Sequence, residues 1–215
     1  MTTMVKRPSV SGFPVNLVLR GRRVVVVGAG RIAARKIESL LEAGAEVEVV
    51  APQVGVEIVG LAEANRVRLT QREFVPTDLD GAWLVVAATD DPAVNGSVFA
   101  AGEERHVFVN AADDPSSCSA TLMSVVRRGE LQVSIGTGGR SPALATWLKA
   151  RLEGELGPEY ETLLDLLSTE REEMREKGRS SEDADWQAAL NSGILELIRA
   201  GKVHEAKERL RACLT

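Results

Sequence analysis

The chain has 215 residues, of which 44% are apolar and 27% charged, and its formal net charge is −5. A chain of this length folds as one large domain or two small ones, with enough apolar content for a real core. The acidic balance argues against a general nucleic-acid surface.

The N-terminal stretch "MTTMVKRPSVSGFPVNLVL" lacks the apolar core of a signal peptide. No apolar run approaches the roughly 18–20 residues that span a bilayer, so a cytoplasmic protein is expected. "RRVVVVGAG" is a β-branched run ending in glycines, which predicts a strand buried on both faces. "RIAARKIESLLEAG" predicts a helix with Ile32, Ile37, Leu40 and Leu41 on one face and Gly44 as its stop. "AEVEVVAP" is the next strand, ended by Pro52, with Glu46 and Glu48 alternating toward solvent. A helix around residues 54–64 leads to "RVRLTQREF" (strand), "AWLVVAATD" (strand), "PAVNGSVFAAGEER" (helix) and "HVFVNAA" (strand). Repeated βα units of this length imply a parallel sheet with helices on both faces.

After residue 113 the pattern changes. "SATLMSVVRRGELQVSIGTGG" predicts two strands joined at "RRGE" as a hairpin. "SPALATWLKARLEGEL" predicts a helix with Ser141 as N-cap and Pro142 at its first position. The remainder to Thr215 is helical, with a polar stretch at 168–185 that reads as a solvated helix end and loop. A lone hairpin is marginally stable in water. With Leu131, Val133 and Ile135 alternating on it, a homodimer joined through residues 114–140 is expected.

"VVVVGAGRIAARK" places Gly28-x-Gly30-x-x-Ala33 after a strand and at the opening of a helix. In such a loop Gly28 permits the tight turn, Gly30 admits a pyrophosphate, and Ala33 allows close helix–strand packing. The helix N-terminus adds amide donors and partial positive charge. The generic fingerprint has an acid at the end of the second strand for the ribose hydroxyls; here "VVAPQ" puts Ala51 there. No arginine follows immediately to hold a 2′-phosphate, so NAD rather than NADP is expected, with ribose contacts from Pro52 and Gln53.

"GRRVVVVGAGRIAARKIESLLEAGAEVEVVAP", "LVVAATDDPAVN", "VFVNAADDP" and "VSIGTGGRSPALA" occur in this order. Together they resemble the precorrin-2 dehydrogenases, the oxidase/ferrochelatase part of siroheme synthases, strongly over residues 13–152 and more loosely along the tail. The resemblance implies a Rossmann-type NAD-binding domain at 1–113, a dimerisation segment at 114–150 and a helical C-terminal domain at 151–215. It implies NAD-dependent oxidation of precorrin-2 to sirohydrochlorin and, as in some members, insertion of ferrous iron to give siroheme. A neutral residue near position 51 belongs to the same pattern. The resemblance places the catalytic aspartate on Asp113 and the cofactor contacts on Gly28, Gly30, Arg31, Ile32, Pro52 and Gln53. A serine that some members modify falls on Thr137, a substrate-side position.

Losing a hydride to NAD and a proton to a base is the chemistry that Asp113 would serve, provided burial raises its pKa. Asp114 precedes Pro115 and is read as a turn residue. Thr89, with Asp90 and Asp91, ends the fourth strand at the ligand edge; Thr89 is expected to contact the cofactor, while "TDDPA" is also an ordinary helix start capped by Asp91. "GTGGRSP" sets Arg140 before a helix N-terminus, suited to a substrate carboxylate; Arg127, Arg128, Lys149 and Arg151 are further candidates, most of them explained by a solvated surface. His106 and His204 make no metal pair, and Cys118 and Cys213 match no metal spacing; two cysteines could form one bridge, but nothing points to a secreted disulfide framework. The alternative from another class is an NAD-sensing regulatory module, which needs neither Asp113 nor "GTGGRSP".

Overall fold

The valine run behaves as its composition demands. In the strand β1 (Arg23–Val27), Val24 to Val27 are almost wholly buried, with alternate side chains going to opposite faces of one sheet. The computed structural model describes residues 12–112, 114–182 and 184–214. It divides into two compact units between Leu122 and Met123.

In the first unit, β1, β2 (Glu46–Val50), β3 (Arg68–Thr70), β4 (Leu84–Ala87) and β5 (Phe108–Ala111) form a parallel sheet in the order β3-β2-β1-β4-β5. Helices α1 (Arg31–Glu42) and α2 (Val56–Glu63) supply Ala33, Ala34, Ile37, Leu40 and Ile58 to the core around Val24, Val26, Val47 and Val49. On the other face, Val98 and Ala101 of α3 (Pro92–Arg105) join Leu79 in packing with Val25, Val27, Val85 and Val109. Helices on both faces of a parallel sheet are what the alternating βα pattern predicts. Gly102 permits close packing of α3 on β5, since a Cβ there would sit 2.3 Å from Val109 Cγ2.

Several details differ from expectation. Ile32 is exposed, and the inner stripe of α1 is Ala33, Ala34, Ile37 and Leu40, with Leu41 half-buried. β3 has only three residues; the chain then turns so that Arg72 meets the buried Asp78 (2.6 Å) in the 3-10 turn Pro76–Leu79. Glu48 does not simply face water, since its carboxylate accepts from Arg23 at 2.9 Å. His106 caps the C-terminus of α3 in a left-handed conformation (φ 55°) rather than opening a strand.

The outer edge of β5 is closed by its own chain. The Ser119 and Ala120 amides donate to Val109 O (3.0 and 2.9 Å), and the Val109 amide donates to Ser119 Oγ (2.9 Å). Two positions on, the Ala111 amide donates to Cys118 Sγ at 3.1 Å. The segment after β5 therefore folds back and satisfies backbone groups that an edge strand would leave open.

In the second unit, β6 (Ser124–Arg128) and β7 (Leu131–Ile135) form an antiparallel hairpin followed by α4 (Pro142–Glu155), which Ser141 caps by accepting from the Leu144 amide at 3.2 Å. Helices α5 (Glu159–Glu176), α6 (Trp186–Leu190), α7 (Ile194–Arg199) and α8 (Val203–Cys213) enclose a core of Leu163, Met174, Ala189, Ile194, Ile198, Ala206 and Leu210. The polar stretch at 168–185 is the end of α5 and the loop after it, yet it also carries buried positions. Glu170 is buried and accepts from Arg211 Nε at 2.7 Å. Among the described residues, no helix is long and apolar enough to cross a membrane.

Candidate active site

In a sheet of this order the chain leaves β1 in one direction for β2 and β3 and returns to the other side for β4 and β5. Ligands bind in the crevice outside the carboxyl ends of strands at that reversal, here between β1 and β4. The predicted cofactor residues gather along this one edge: Gly28, Gly30, Arg31 and Ile32 follow β1, Pro52 and Gln53 follow β2, and Thr89 follows β4.

Gly28 has φ +107°, and a Cβ there would lie 2.3 Å from Ala88 O, so the turn closes against the end of β4 only with glycine. Its amide donates to Val50 O at 2.9 Å, and the Ala88 amide donates to Val27 O at 2.8 Å, which fixes the loop to both neighbouring strands. Gly30 is different. A Cβ there would meet nothing within 4 Å, so nothing in the chain itself requires glycine. Gly30 is also the N-cap of α1 with no side-chain cap, so the first amides of the helix are left without one. Arg31, exposed, adds a full positive charge at that point. An open, uncapped, positively polarised helix start fits the pyrophosphate of a dinucleotide.

At the ribose end, Ala51 is buried in the core cluster and its amide donates to Thr70 O, so position 51 offers no side chain to the crevice. Pro52 and Gln53 are exposed, and Pro52 O accepts from Gln71 Nε2 at 3.4 Å. The Gly55 amide donates to Ala29 O at 3.0 Å, and a Cβ on Gly55 would come within 2.9 Å of that oxygen. The loop after β2 thus rests directly on the glycine loop. Sequence reasoning missed Gly55, whose only signal was a glycine ahead of a helix.

Thr89 stands at the crevice, but its hydroxyl is committed: it donates to Asn95 Oδ1 at 2.8 Å and accepts from the Asp91 amide at 3.2 Å. Asn95, buried, donates back to Thr89 O at 3.0 Å and holds the turn. Asp91 caps α3 through the Ala93 amide at 2.8 Å. The Thr89 amide also donates to Asn95 Oδ1, at 3.4 Å, so both its hydroxyl and its backbone are engaged within the turn.

Asp113 lies outside the described residues. On one side of it, the Ala112 amide donates to Ala87 O at 2.8 Å, which keeps the chain in line with the carboxyl end of β4. On the other, Asp114 accepts from the Ser116 amide (3.0 Å) and from the Ser116 and Ser117 hydroxyls, the latter at 2.6 Å. These bonds, those of the Ser116 side chain foremost, hold its carboxyl below the ordinary range. Asp114 is an ionised turn residue with its oxygens occupied.

Thr137 and Arg140 belong to the second unit. Thr137 Oγ1 lies 3.2 Å from Ser141 O and 3.3 Å from Ser141 N, closing the loop in which Gly138 and Gly139 take positive φ. Arg140 is exposed. Arg128 instead secures a helix end, its guanidinium donating to Leu156 O and Glu153 O (2.5 and 2.8 Å) at the C-terminus of α4. Lys149 and Arg151 pair with Glu153 and Glu155 one turn on.

Residues 15–124 match the family described as putative NAD(P)-binding, and residues 128–155 match the central segment of sirohaem biosynthesis proteins. The siroheme synthase of Photorhabdus laumondii is 35% identical over 92% of this chain, and that of Thiobacillus denitrificans 37% over 94%. The chain spans 43% and 42% of those relatives' lengths. A solved structure described as SirC, precorrin-2 dehydrogenase, is similar with a TM-score of 0.74 and 29% identity, over 94% of this chain and 100% of that one. These matches bear out the resemblance read from the four loops. The chain belongs to the putative NAD(P)-binding family.

Proposed function

We propose that this chain oxidises precorrin-2 to sirohydrochlorin with NAD as acceptor, in siroheme synthesis. The observation that carries the reading is the uncapped, open start of α1 at Gly30, set at the β1/β4 reversal next to the strand end that leads into Asp113. Relatives named siroheme synthase and the similarity to a precorrin-2 dehydrogenase support the substrate.

When bound, NAD supplies the hydride acceptor. The chain's own residues do the rest. The α1 amides and Arg31 hold the pyrophosphate; the loops at Pro52 and Gln53 border the adenosine ribose. Asp113 accepts the proton that leaves as the macrocycle is oxidised, a role worth about 10²–10⁴ in rate for a positioned base. Arg140 and Thr137 meet the substrate side, Arg140 through a carboxylate. Ferrous iron insertion, where it occurs, also needs a base to take pyrrole protons, and the same aspartate serves it.

Anaerobic ultraviolet–visible spectra of precorrin-2 with the protein and either NAD or NADP test this reading. Conversion to the sirohydrochlorin spectrum with NAD, and much slower conversion with NADP, is expected, because Ala51 brings no cation to a 2′-phosphate. Cofactor binding with no spectral change would indicate a sensing module instead, and faster turnover with NADP would overturn the cofactor assignment.

A further inference from the structure

One polar side chain interrupts the inner stripe of α3. Asn95 falls in line with Val98, Ala101 and Gly102, and like them it is buried. A buried amide is costly unless its hydrogen bonds are made, and Asn95 makes its side-chain bonds to a single residue. Its Oδ1 accepts from the Thr89 hydroxyl at 2.8 Å and from the Thr89 amide at 3.4 Å, while Nδ2 donates to Thr89 O at 3.0 Å. The Ala88–Thr89 peptide that carries this amide is also the wall on which the glycine loop closes. A Cβ on Gly28 would lie 2.3 Å from Ala88 O and 3.2 Å from the Thr89 nitrogen. Because the peptide is planar and trans, fixing its N–H fixes the direction of its C=O.

We propose that Asn95 is a positioning residue for the cofactor: by holding the Ala88–Thr89 peptide it sets the surface against which the Gly28 turn closes, and so the shape of the β1/β4 crevice. The proposal rests on the reading of that crevice as the NAD site. Packing alone does not ask for asparagine here, since an apolar side chain would continue the stripe of Val98 and Ala101. Such a side chain would leave the Thr89 peptide without the bonds that orient it. The crevice would then be competent for only a fraction of the time, and the apparent dissociation constant rises by the inverse of that fraction: about tenfold if the fraction is about one tenth. Once NAD is seated the hydride transfer itself is unaltered, so the loss falls on binding.

The test uses the full chain and four variants: Asn95→Leu, Asn95→Ala, Thr89→Val, and Asn95→Leu combined with Thr89→Val. Each is titrated with NAD, its thermal unfolding is recorded, and kcat and KM are measured with precorrin-2. Asn95→Leu and Asn95→Ala should raise both the Kd and the KM for NAD about tenfold, with kcat at saturating NAD within about threefold of the wild type. Leucine is close to asparagine in shape and carries the test should the alanine variant fold poorly. An asparagine that served the fold alone would lower the melting temperature and leave Kd and KM of the folded protein as they are. Adding Thr89→Val to Asn95→Leu should cost less than about a further twofold, because the two side chains act through one set of bonds. Wild-type Kd in both Asn95 variants would overturn the proposal, as would a loss in kcat with KM unchanged. Losses that multiply in the double variant would also overturn it, since Thr89 would then act on the cofactor independently of Asn95. A wild-type protein that binds no NAD would remove the cofactor reading itself, and the role of Asn95 with it.

Discussion

Gly28 and Gly30 look alike in sequence and serve different ends. At Gly28, positive φ and a 2.3 Å approach to Ala88 O make glycine a requirement of the fold. Gly28→Ala should destabilise the protein by about 1–3 kcal/mol, the usual cost of forced backbone strain, and should abolish NAD binding. Gly30→Ala meets open space, so thermal unfolding should be nearly unchanged while NAD affinity falls about tenfold or more. Calorimetric unfolding and binding titrations of the two variants check this; equal destabilisation by both would contradict it. The glycines were legible because turn and phosphate chemistry have a local signature. Asn95, Gly55 and Cys118 were not, because their partners at Thr89, Ala29 and Ala111 are set by how loops fold back on strands. Asp114 was legible as a turn because Pro115 follows it, and its bonds to Ser116 and Ser117 are what that turn uses.

Elements with one strong period were read from the sequence with little error: the valine strand, α3 from Asp91 to Arg105, and the hairpin around Gly129 all appear where predicted. β3 was overestimated because alternation in "RVRLTQREF" continues past the point where Arg72 turns to Asp78. That pair gives the connection between β3 and β4 a pH signature. The Arg72 guanidinium, as hydrogen-bond partner, holds the Asp78 carboxyl below the ordinary carboxylate range against the opposing effect of burial. A depressed carboxyl stabilises the fold fully above its unfolded pKa and loses that contribution as pH falls through its folded value. Asp78→Asn should therefore melt lower than wild type near neutrality, with the gap narrowing below about pH 4. A gap independent of pH would contradict the pairing. The α5 face was obscured for another reason: Glu170 is buried against Arg211, and Met174 stands in a run of charged residues, so composition pointed to solvent.

At the scale of the molecule, the hairpin β6–β7 has no third strand among the described residues, and Leu144 and Trp147 of α4 are exposed. Leu131, Val133 and Ile135 are each only half-buried within their own unit. A second copy of the chain is the expected cover, so sedimentation at micromolar concentration should find a homodimer, and a monomer would refute this. The curated relatives are more than twice as long as this chain, which makes the isolated activity of these 215 residues the decisive property. The most direct measurement is anaerobic turnover of precorrin-2 with NAD by the wild-type protein and by Asp113→Asn, alongside NAD binding to each. The account predicts a loss of about 10²–10⁴ in turnover for Asp113→Asn, with NAD affinity unchanged because the proposed pyrophosphate site, at the glycine loop after β1, is separate from position 113. Asp113→Asn turning over as fast as the wild type would contradict it.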